Sequence, residues 1–242
     1  MGIPVIWPTM TVRRPWVVAS VFWYNRPSIT KEVGVAQRSA VSLLLAATAL
    51  PILLLMGSPA WSDDGTERIV LVRHGEKPDR GLGQLDCQGL NRALKLPSVI
   101  AKTFGRPAAI FAPDPSQQKA DEGVPYDYVR PLATVEPSAI FFGLPINADF
   151  GAFDSDRLRA ALAQPIYRNA LVLVGWEHTQ IENIARALLA DNGGDASVVP
   201  KWHWDDFDSI YVVAISRIGD ATKATFAVEH EGLNGQPTTC PQ

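Results

Sequence analysis

The feature that most constrains the fold is an apolar run that ends directly in Arg-His-Gly. Residues 69–72 (Ile-Val-Leu-Val) are all branched and apolar, which predicts a strand buried on both faces. Arg73 and His74 follow at once, and Gly75 gives the backbone the freedom to leave the sheet. Pro78 disfavours a helix through the residue before it. The pattern predicts an arginine and a histidine at the C-terminal edge of a strand, where open α/β sheets bind ligands.

A second apolar run repeats this arrangement a hundred residues later. Residues 170–175 (Ala-Leu-Val-Leu-Val-Gly) predict another buried strand, and Glu177 and His178 follow it before a helix that runs to Ala190. A single histidine at a strand end is more often structural than catalytic. Two of the four histidines at the ends of buried strands favour a shared site at one edge of the sheet.

The remaining pattern predicts alternating strands and helices. Asp86 is a candidate N-cap for a helix near residues 87–103, and Gly89 inside that helix predicts a close approach, most simply to the sheet. Residues 116–127 form a polar insertion after the second strand. The other predicted elements are a strand at 108–112, an edge strand at 144–149, a helix at 153–164, and a C-terminal hairpin of 209–215 with 225–230.

The motifs resemble, in order, those of the histidine phosphatase superfamily. Residues 73–75 match its Arg-His-Gly, residues 130–136 (Arg-Pro-Leu-Ala-Thr-Val-Glu) resemble Arg-Ala-x-x-Thr-Ala-Glu, and residues 175–181 resemble its second histidine motif. Residues 85–93 resemble Leu-Thr-x-x-Gly-x-x-Gln-Ala, with Asp86 and Arg92 in place of Thr and Gln. The resemblance implies a phosphoglycerate mutase-like fold: a three-layer α/β/α sandwich whose mostly parallel central sheet carries a C-terminal hairpin. It also implies a helix that opens at Arg130, and Pro131 suits the first turn of that helix.

By this resemblance His74 is a nucleophile that carries the phosphoryl group, and no metal or organic cofactor is required. Arg73, Arg130, His178 and Gly75 are the expected phosphate ligands, because cations and N–H donors stabilise phosphoryl oxygens. Metal-ligand spacing is absent from the sequence, since there is no Cys-x-x-Cys and the histidines are far apart.

The group that protonates the leaving oxygen is not fixed by the sequence. The superfamily supplies an acid from different places in different branches. Here Glu177 directly precedes the second histidine, and Asp149 follows the edge strand. Asp114 is a weaker third choice. The acid therefore stays open between these carboxylates.

The expected function is hydrolysis of a small phosphomonoester by an exported enzyme. The alternative is a phospho-ligand binding module of the same fold that turns over weakly or not at all. A phosphomutase acting on glycolytic substrates is disfavoured by export. Nucleic acid is not an expected partner, because residues 61–242 hold 17 basic and 24 acidic residues, a net charge of −7. The sequence identifies neither the substrate nor the oligomeric state.

The first 60 residues predict an N-terminal extension with an export signal. Residues 40–56 are uncharged and mostly apolar, Arg38 precedes them, and Gly-Ser-Pro-Ala at 57–60 provides a cleavage site after Ala60. An uncleaved anchor is the alternative, although Pro51 disfavours a regular spanning helix. Residues 61–242 would then be the catalytic domain, without membrane contact once the signal is cleaved.

The chain contains two cysteines, Cys87 and Cys240, and both follow the predicted signal. In an oxidising compartment an even pair favours a disulfide. The alternative is one buried and one exposed free thiol.

Overall fold

The computed structural model describes residues 65–242, which form a six-stranded sheet, a separate two-stranded hairpin and four α-helices. The strands are β1 (Thr66–Arg73), β2 (Ala109–Pro113), β3 (Gln118–Asp121), β4 (Val124–Asp127), β5 (Ile146–Phe150), β6 (Leu171–Trp176), β7 (Ser209–Ile218) and β8 (Ala221–His230). The helices are α1 (Cys87–Thr103), α2 (Arg130–Phe142), α3 (Ser155–Leu162) and α4 (His178–Asp191).

The predicted extension, with its apolar run at 40–56, lies outside these residues, so that part of the domain division stays a prediction. Within residues 65–242 no helix is long and apolar enough to cross a bilayer.

The central sheet has the strand order β5-β2-β6-β1-β7-β8. The first four of these strands are parallel, whereas β7 runs antiparallel to β1 and pairs with β8 in the C-terminal hairpin. Helices cover both faces of the sheet. The predicted three-layer α/β/α architecture with a mostly parallel sheet is therefore confirmed.

Two apolar cores, one on each face, hold the layers together. Val70 and Val72 point to the face that α1 and α2 cover, whereas Ile69 and Leu71 point to the face of α3 and α4. All four side chains are fully buried. This is why β1 has a continuous apolar run and not an alternating one.

The register between β1 and β6 brings the two predicted histidine segments together. Arg73 lies beside Trp176 in the parallel ladder, and the His74 N–H donates to the Trp176 carbonyl at 2.9 Å. His178 begins α4 directly afterwards. The C-terminal ends of two adjacent central strands thus form one edge, as the sequence predicts.

Helix α1 approaches the loop after β1, and not the sheet as the presence of Gly89 suggested. Asp86 caps the helix by accepting the Gly89 N–H at 2.7 Å. A β-carbon on Gly89 would lie 2.3 Å from the Glu76 carbonyl oxygen, and one on Gly75 would lie 2.9 Å from the Gly89 α-carbon. Two glycines therefore allow backbone-to-backbone contact beside His74.

The polar insertion folds as a β-hairpin of β3 and β4. Glu122 and Gly123 form its two-residue turn, and both have positive φ, at 50° and 80°. This backbone is typical of the tight turns that match strand twist. The sequence analysis assigned no structure to this segment.

A disulfide joins Cys87 at the start of α1 to Cys240 in the C-terminal tail. The Asn91 side-chain amide donates to the carbonyls of Pro237 and Thr239 at 2.9 and 2.8 Å. The tail is therefore tied to the first turns of α1 by one covalent bond and two hydrogen bonds. Of the two alternatives for the cysteines, the structure has the bridge.

Candidate functional site

His74 lies at the end of β1 and its side chain is buried. Nδ1 lies 2.8 Å from the Gly75 carbonyl, which can only accept, so Nδ1 carries the proton. Nε2 then carries the lone pair, which accepts the Arg130 Nε–H at 3.2 Å. The nucleophilic nitrogen of the imidazole is therefore Nε2, and it lies beside the guanidinium group of Arg130.

The surroundings of His74 favour its neutral form. Burial, and then the charge of Arg130, lower the pKa of His74 well below its usual range, against the opposing effect of its hydrogen bond to Gly75. A neutral imidazole retains the lone pair that nucleophilic attack requires.

Arg73 is fixed by the loop that precedes β7. Its Nη1 donates to the carbonyls of Trp204 and Asp206 at 2.8 and 2.7 Å, and its guanidinium lies 3.8 Å from the centre of the Phe207 ring. Burial lowers the pKa of Arg73 to about 10, against the raising effect of Glu177. Nε of Arg73 is buried without a hydrogen-bond partner among the described residues, so a donor is available for a bound anion.

Arg130 opens α2, and Pro131 follows it in the first turn. Its guanidinium forms a two-point ion pair with Asp121 at the end of β3, in which Nη2 lies 3.0 Å from Oδ1. Lys77 Nζ lies 3.5 Å from the same carboxylate. Burial would raise the pKa of Asp121, but its hydrogen bonds to Arg130 and the charge of Arg130 lower it, so the pair is ionised.

Gly75 does not offer its N–H to a phosphate, contrary to the sequence prediction. That N–H donates to Thr134 Oγ1 at 3.0 Å, and the Thr134 hydroxyl donates in turn to the Arg130 carbonyl at 2.8 Å. Thr134 thus ties the Arg-His-Gly turn to the first turn of α2. Gly75 serves the close contact with Gly89 instead.

Glu177 caps α4 and lies against His178. Its Oε2 accepts the Gln180 N–H at 3.1 Å, and its Oε1 lies 2.7 Å from His178 Nδ1. Burial would raise the pKa of Glu177, but the contact with His178 and the charge of Lys119 lower it to about 2. An ionised capping carboxylate has no proton to give, so the proposed acid role of Glu177 does not fit. The geometry suits the orientation of His178 instead.

Asp149 does not join the site. It is exposed on β5, the edge strand, and its neighbour Phe150 points into the core because successive side chains of a strand alternate. Asp149 lines a cavity of about 550 Å³ with Ile146 and Tyr167 at the outer edge of the sheet. The predicted catalytic role of Asp149 is therefore not supported. Asp114 is also occupied elsewhere, by the N–H and hydroxyl of Ser116.

Tyr128 is a site residue that the sequence analysis missed. It is fully buried, the ring lies edge-on to His74 with 6.2 Å between centroids, and the Arg130 guanidinium lies 4.7 Å from the ring centre. Its hydroxyl has no hydrogen-bond partner among the described residues. Burial raises the pKa of Tyr128, so the hydroxyl is a hydrogen-bond donor and not an acid. An aromatic residue two positions before the motif arginine was the available signal.

The hairpin of β3 and β4 supplies two further missed residues, Asp121 and Lys119. Asp121 pairs with Arg130, and Lys119 Nζ lies 5.0 Å from the centre of the Tyr128 ring. The only sequence signal was a charged segment with a Glu-Gly turn between two short extended runs. Within residues 65–242, no group of three or more His, Cys, Asp or Glu side chains is placed to hold a metal ion.

No protein-family model and no curated protein sequence matches this chain. Among solved structures, it is similar to the mycobacterial glucosyl-3-phosphoglycerate phosphatase in complex with inorganic phosphate, with a TM-score of 0.47 and 16% identity over 66% of this chain and 95% of that one. It is also similar to a protein proposed to be the phosphohistidine phosphatase SixA of Nakamurella multipartitia, with a TM-score of 0.44 and 15% identity over 69% of this chain and 96% of that one.

Proposed function

We propose that the protein is a histidine phosphatase that hydrolyses a small phosphomonoester through a phosphohistidine on His74. The observation that carries this proposal is the tautomer of His74. Its Nδ1–H is fixed on the Gly75 carbonyl, and its Nε2 lone pair faces the Arg130 Nε–H. An anion that enters beside Arg130 meets this lone pair.

The reaction proceeds in two displacements. Nε2 forms a bond to phosphorus while the bond from phosphorus to the leaving oxygen breaks, and water then cleaves the phosphorus–nitrogen bond and restores the imidazole. The free Nε of Arg73, the guanidinium of Arg130 and the unpartnered hydroxyl of Tyr128 are the donors for the phosphoryl oxygens. His178, whose Nδ1 lies 2.7 Å from Glu177 Oε1, follows the adjacent strand at the same edge and is a further donor. These groups supply the charge that a metal ion provides in other phosphatases, so the proposed reaction is metal-independent.

We propose a binding module as the second candidate, because Asp121 already occupies the fork of Arg130. A carboxylate in this position competes with a phosphate for the same donors. Such a module would bind phosphorylated ligands without turning them over.

Export is part of the proposal, and two observations support it. Residues 40–60 have the pattern of a cleaved signal, and the bridge between Cys87 and Cys240 is of the kind that persists in oxidising compartments. Sequencing the N-terminus of the exported protein tests this part, and an N-terminus at Trp61 is expected.

The test of the activity is hydrolysis of an aryl phosphate by the protein expressed from the full chain, with and without a chelator. We expect turnover that the chelator does not change, that His74→Ala abolishes, and that His178→Ala lowers by at least about 100-fold. Acid-quenched enzyme should contain phosphohistidine in the parent and none in His74→Ala.

Each alternative has its own outcome in this experiment. A folded parent that binds inorganic phosphate but shows no turnover and no phosphohistidine would favour the binding module. Turnover that survives His74→Ala would overturn the assignment of the nucleophile. Loss of activity with the chelator, restored by an added metal, would overturn the metal-independent mechanism.

A further inference from the structure

The reaction proposed above lacks one component, a group that gives a proton to the leaving oxygen. An alkoxide is a poor leaving group, so this proton is needed for alkyl phosphates. Glu177 is an ionised helix cap, Asp149 lies on the outer edge of the sheet, and Asp114 is bonded to Ser116. The positions of these carboxylates therefore favour a different donor.

The hairpin of β3 and β4 places a different proton carrier over the site. Lys119 Nζ lies 5.0 Å from the centre of the Tyr128 ring and 5.8 Å from the centre of the Phe153 ring. The edge-on contact of the Tyr128 ring with His74 and the stacking of Arg130 on the same ring put all three groups around one aromatic side chain. Lys119 thus shares one aromatic neighbour with the nucleophile and with the phosphate-binding arginine.

The orientation of Lys119 follows from that of Asp121. The two residues are two positions apart on β3, so their side chains lie on the same face of the hairpin. Asp121 is anchored on this face by Arg130 and by the Gly83 N–H at 3.3 Å. The pair of Asp121 with Arg130 therefore directs Lys119 towards the site as well.

The ammonium group of Lys119 is not engaged in another contact. Its contacts within the described residues are those with the two aromatic rings, and it has no carboxylate within 4.0 Å. Lys77, in contrast, pairs with Asp121. A half-buried ammonium without an ion pair retains its donors for a ligand.

We propose that Lys119 is the catalytic acid that protonates the leaving oxygen, an inference that rests on the phosphatase function proposed above. In an in-line displacement the leaving oxygen lies opposite His74 Nε2, on the far side of the phosphorus. Lys119 Nζ, 5.0 Å from the centre of the Tyr128 ring, is the ammonium that we assign to that oxygen.

The proton balance closes over the two steps. As the phosphorus–oxygen bond breaks, its electron pair goes to the leaving oxygen, which takes a proton from the Lys119 ammonium and departs as an alcohol. The resulting neutral amine then takes a proton from the water that attacks the phosphohistidine. The electron pair of the phosphorus–nitrogen bond returns to His74 Nε2, inorganic phosphate departs, and Lys119 is again an ammonium.

The surroundings of Lys119 are consistent with this use. Burial lowers the pKa of Lys119, against the raising effect of Glu177, and this makes the ammonium a stronger acid. The charged and titratable groups that influence it are Glu177 from α4, Arg130 from α2, Asp121 from β3 and Lys77 from the loop after β1. The two cations in this set add to the effect of burial.

The experiment compares leaving groups in the parent, Lys119→Met and Lys119→Arg. The substrates are p-nitrophenyl phosphate, whose leaving group needs no proton, phenyl phosphate, and the alkyl phosphate β-glycerophosphate. We expect Lys119→Met to lower kcat/KM for the alkyl phosphate by about 100-fold or more, and for p-nitrophenyl phosphate by less than about threefold. Lys119→Arg should not restore alkyl turnover, because a guanidinium keeps its proton.

Lys223→Met on the exposed end of β8 is the matched control, and it should leave both rates unchanged. The ratio of the rates for two substrates does not depend on the fraction of folded enzyme, so partial unfolding of a variant does not obscure the result.

Three outcomes would overturn the inference. Equal losses for aryl and alkyl phosphates would show that Lys119 binds phosphate and does not protonate the leaving group. Recovery of alkyl phosphate turnover in Lys119→Arg would show that a positive charge at this position is sufficient and that no proton is transferred from it. An unchanged rate would exclude any role. A parent without aryl phosphatase activity would instead overturn the proposed function, and the role of Lys119 with it.

Discussion

At the scale of single residues, the charges around His74 favour an anionic ligand. The cations are Arg73, Arg130, Lys77 and Lys119, and the carboxylates are Asp121, Glu177 and Asp206, whereas Glu76 is paired with Arg92. The positive charges outnumber the negative ones, which suits a phosphomonoester. Asp121 contributes to this balance by holding Arg130 in place before the substrate arrives, so Arg130 is never buried without a partner.

The role of Asp121 leads to a prediction about stability. In Asp121→Asn the buried Arg130 loses its ion-pair partner, and we expect the free energy of unfolding to fall by about 3 kcal/mol. Inorganic phosphate should recover part of this loss, because the dianion takes the place of the carboxylate and stabilises the folded state that binds it. Thermal unfolding with and without phosphate measures both effects.

Asp127→Asn, on the exposed end of the same hairpin, is the control for this experiment. It should change neither the free energy of unfolding nor the stabilisation by phosphate. If phosphate raised the melting temperature of Asp121→Asn no more than that of the parent, phosphate would not bind at Arg130.

At the scale of elements, the sequence predicted the central strands and most helices to within a few residues. β1 and β6 have uninterrupted apolar runs because both of their faces are covered. Helix α1 begins where its capping aspartate and apolar periodicity placed it. Helix α2 begins at Arg130 with Pro131 in its first turn, as the family resemblance implied. Local patterns were sufficient here, because burial and capping act on neighbouring residues.

The hairpin of β3 and β4 was not predicted, because it has almost no apolar face. Of its eight strand residues only Asp121 is buried, and Asp121 is buried by an ion pair and not by packing. Nothing in the sequence distinguishes Asp121 from the other acidic residues, since its partner Arg130 is known only once the hairpin has folded back. The position of Glu177 was not predicted for a similar reason: its burial and its role as a helix cap are properties of the folded chain.

The contact between α1 and the loop after β1 gives a prediction at this scale. Alanine suits a helix interior better than glycine by about 1 kcal/mol, but a β-carbon on Gly89 would lie 2.3 Å from the Glu76 carbonyl oxygen. The loop must therefore move, and with it Gly75 and His74. We expect Gly89→Ala to lower kcat/KM for an aryl phosphate by at least about tenfold. The melting temperature should change little, because the helix propensity of alanine offsets part of the strain in the loop.

Lys95→Ala, on the exposed side of the same helix, should leave rate and stability unchanged. Full activity in Gly89→Ala would show that the loop tolerates the displacement and that this contact does not position His74.

At the scale of the whole molecule, four distant segments meet at one buried arginine. Arg92 of α1 binds Glu76 through Nε and Nη2, at 2.9 and 2.7 Å, and its Nη1 binds Glu231, beyond the end of β8, at 2.7 Å. Asp208, before β7, lies 3.6 Å from the same Nη1. The disulfide of Cys87 holds the C-terminal tail close to this cluster. The cluster therefore joins the loop after β1 to the open end of the C-terminal hairpin, where Asp208 and Glu231 lie side by side.

One arginine cannot neutralise three carboxylates, so one of them is expected to keep its proton. Glu231 is the most buried of the three. Burial, together with the charges of Asp208 and Glu76, raises the pKa of Glu231 to about 8, against the lowering effect of Arg92. His230 lies 3.8 Å from Asp208 but is mostly exposed. The stability that a protonated Glu231 contributes is fully present below the usual glutamate pKa and is lost as the pH rises towards 8.

Glu231→Gln tests this interpretation, because glutamine has nearly the shape of the protonated acid and does not titrate. We expect the free energies of unfolding of parent and variant to agree near pH 5, and the variant to become more stable than the parent towards pH 8, by about 1.4 kcal/mol per pH unit at most. Denaturant unfolding across this range measures the difference, and Glu229→Gln on the exposed face of β8 should follow the parent.

A variant less stable than the parent at pH 8 would mean that Glu231 is ionised and paired with Arg92. In that case the cluster would instead be stabilised as the pH rises, because the folded protein would favour the carboxylate over its protonated form.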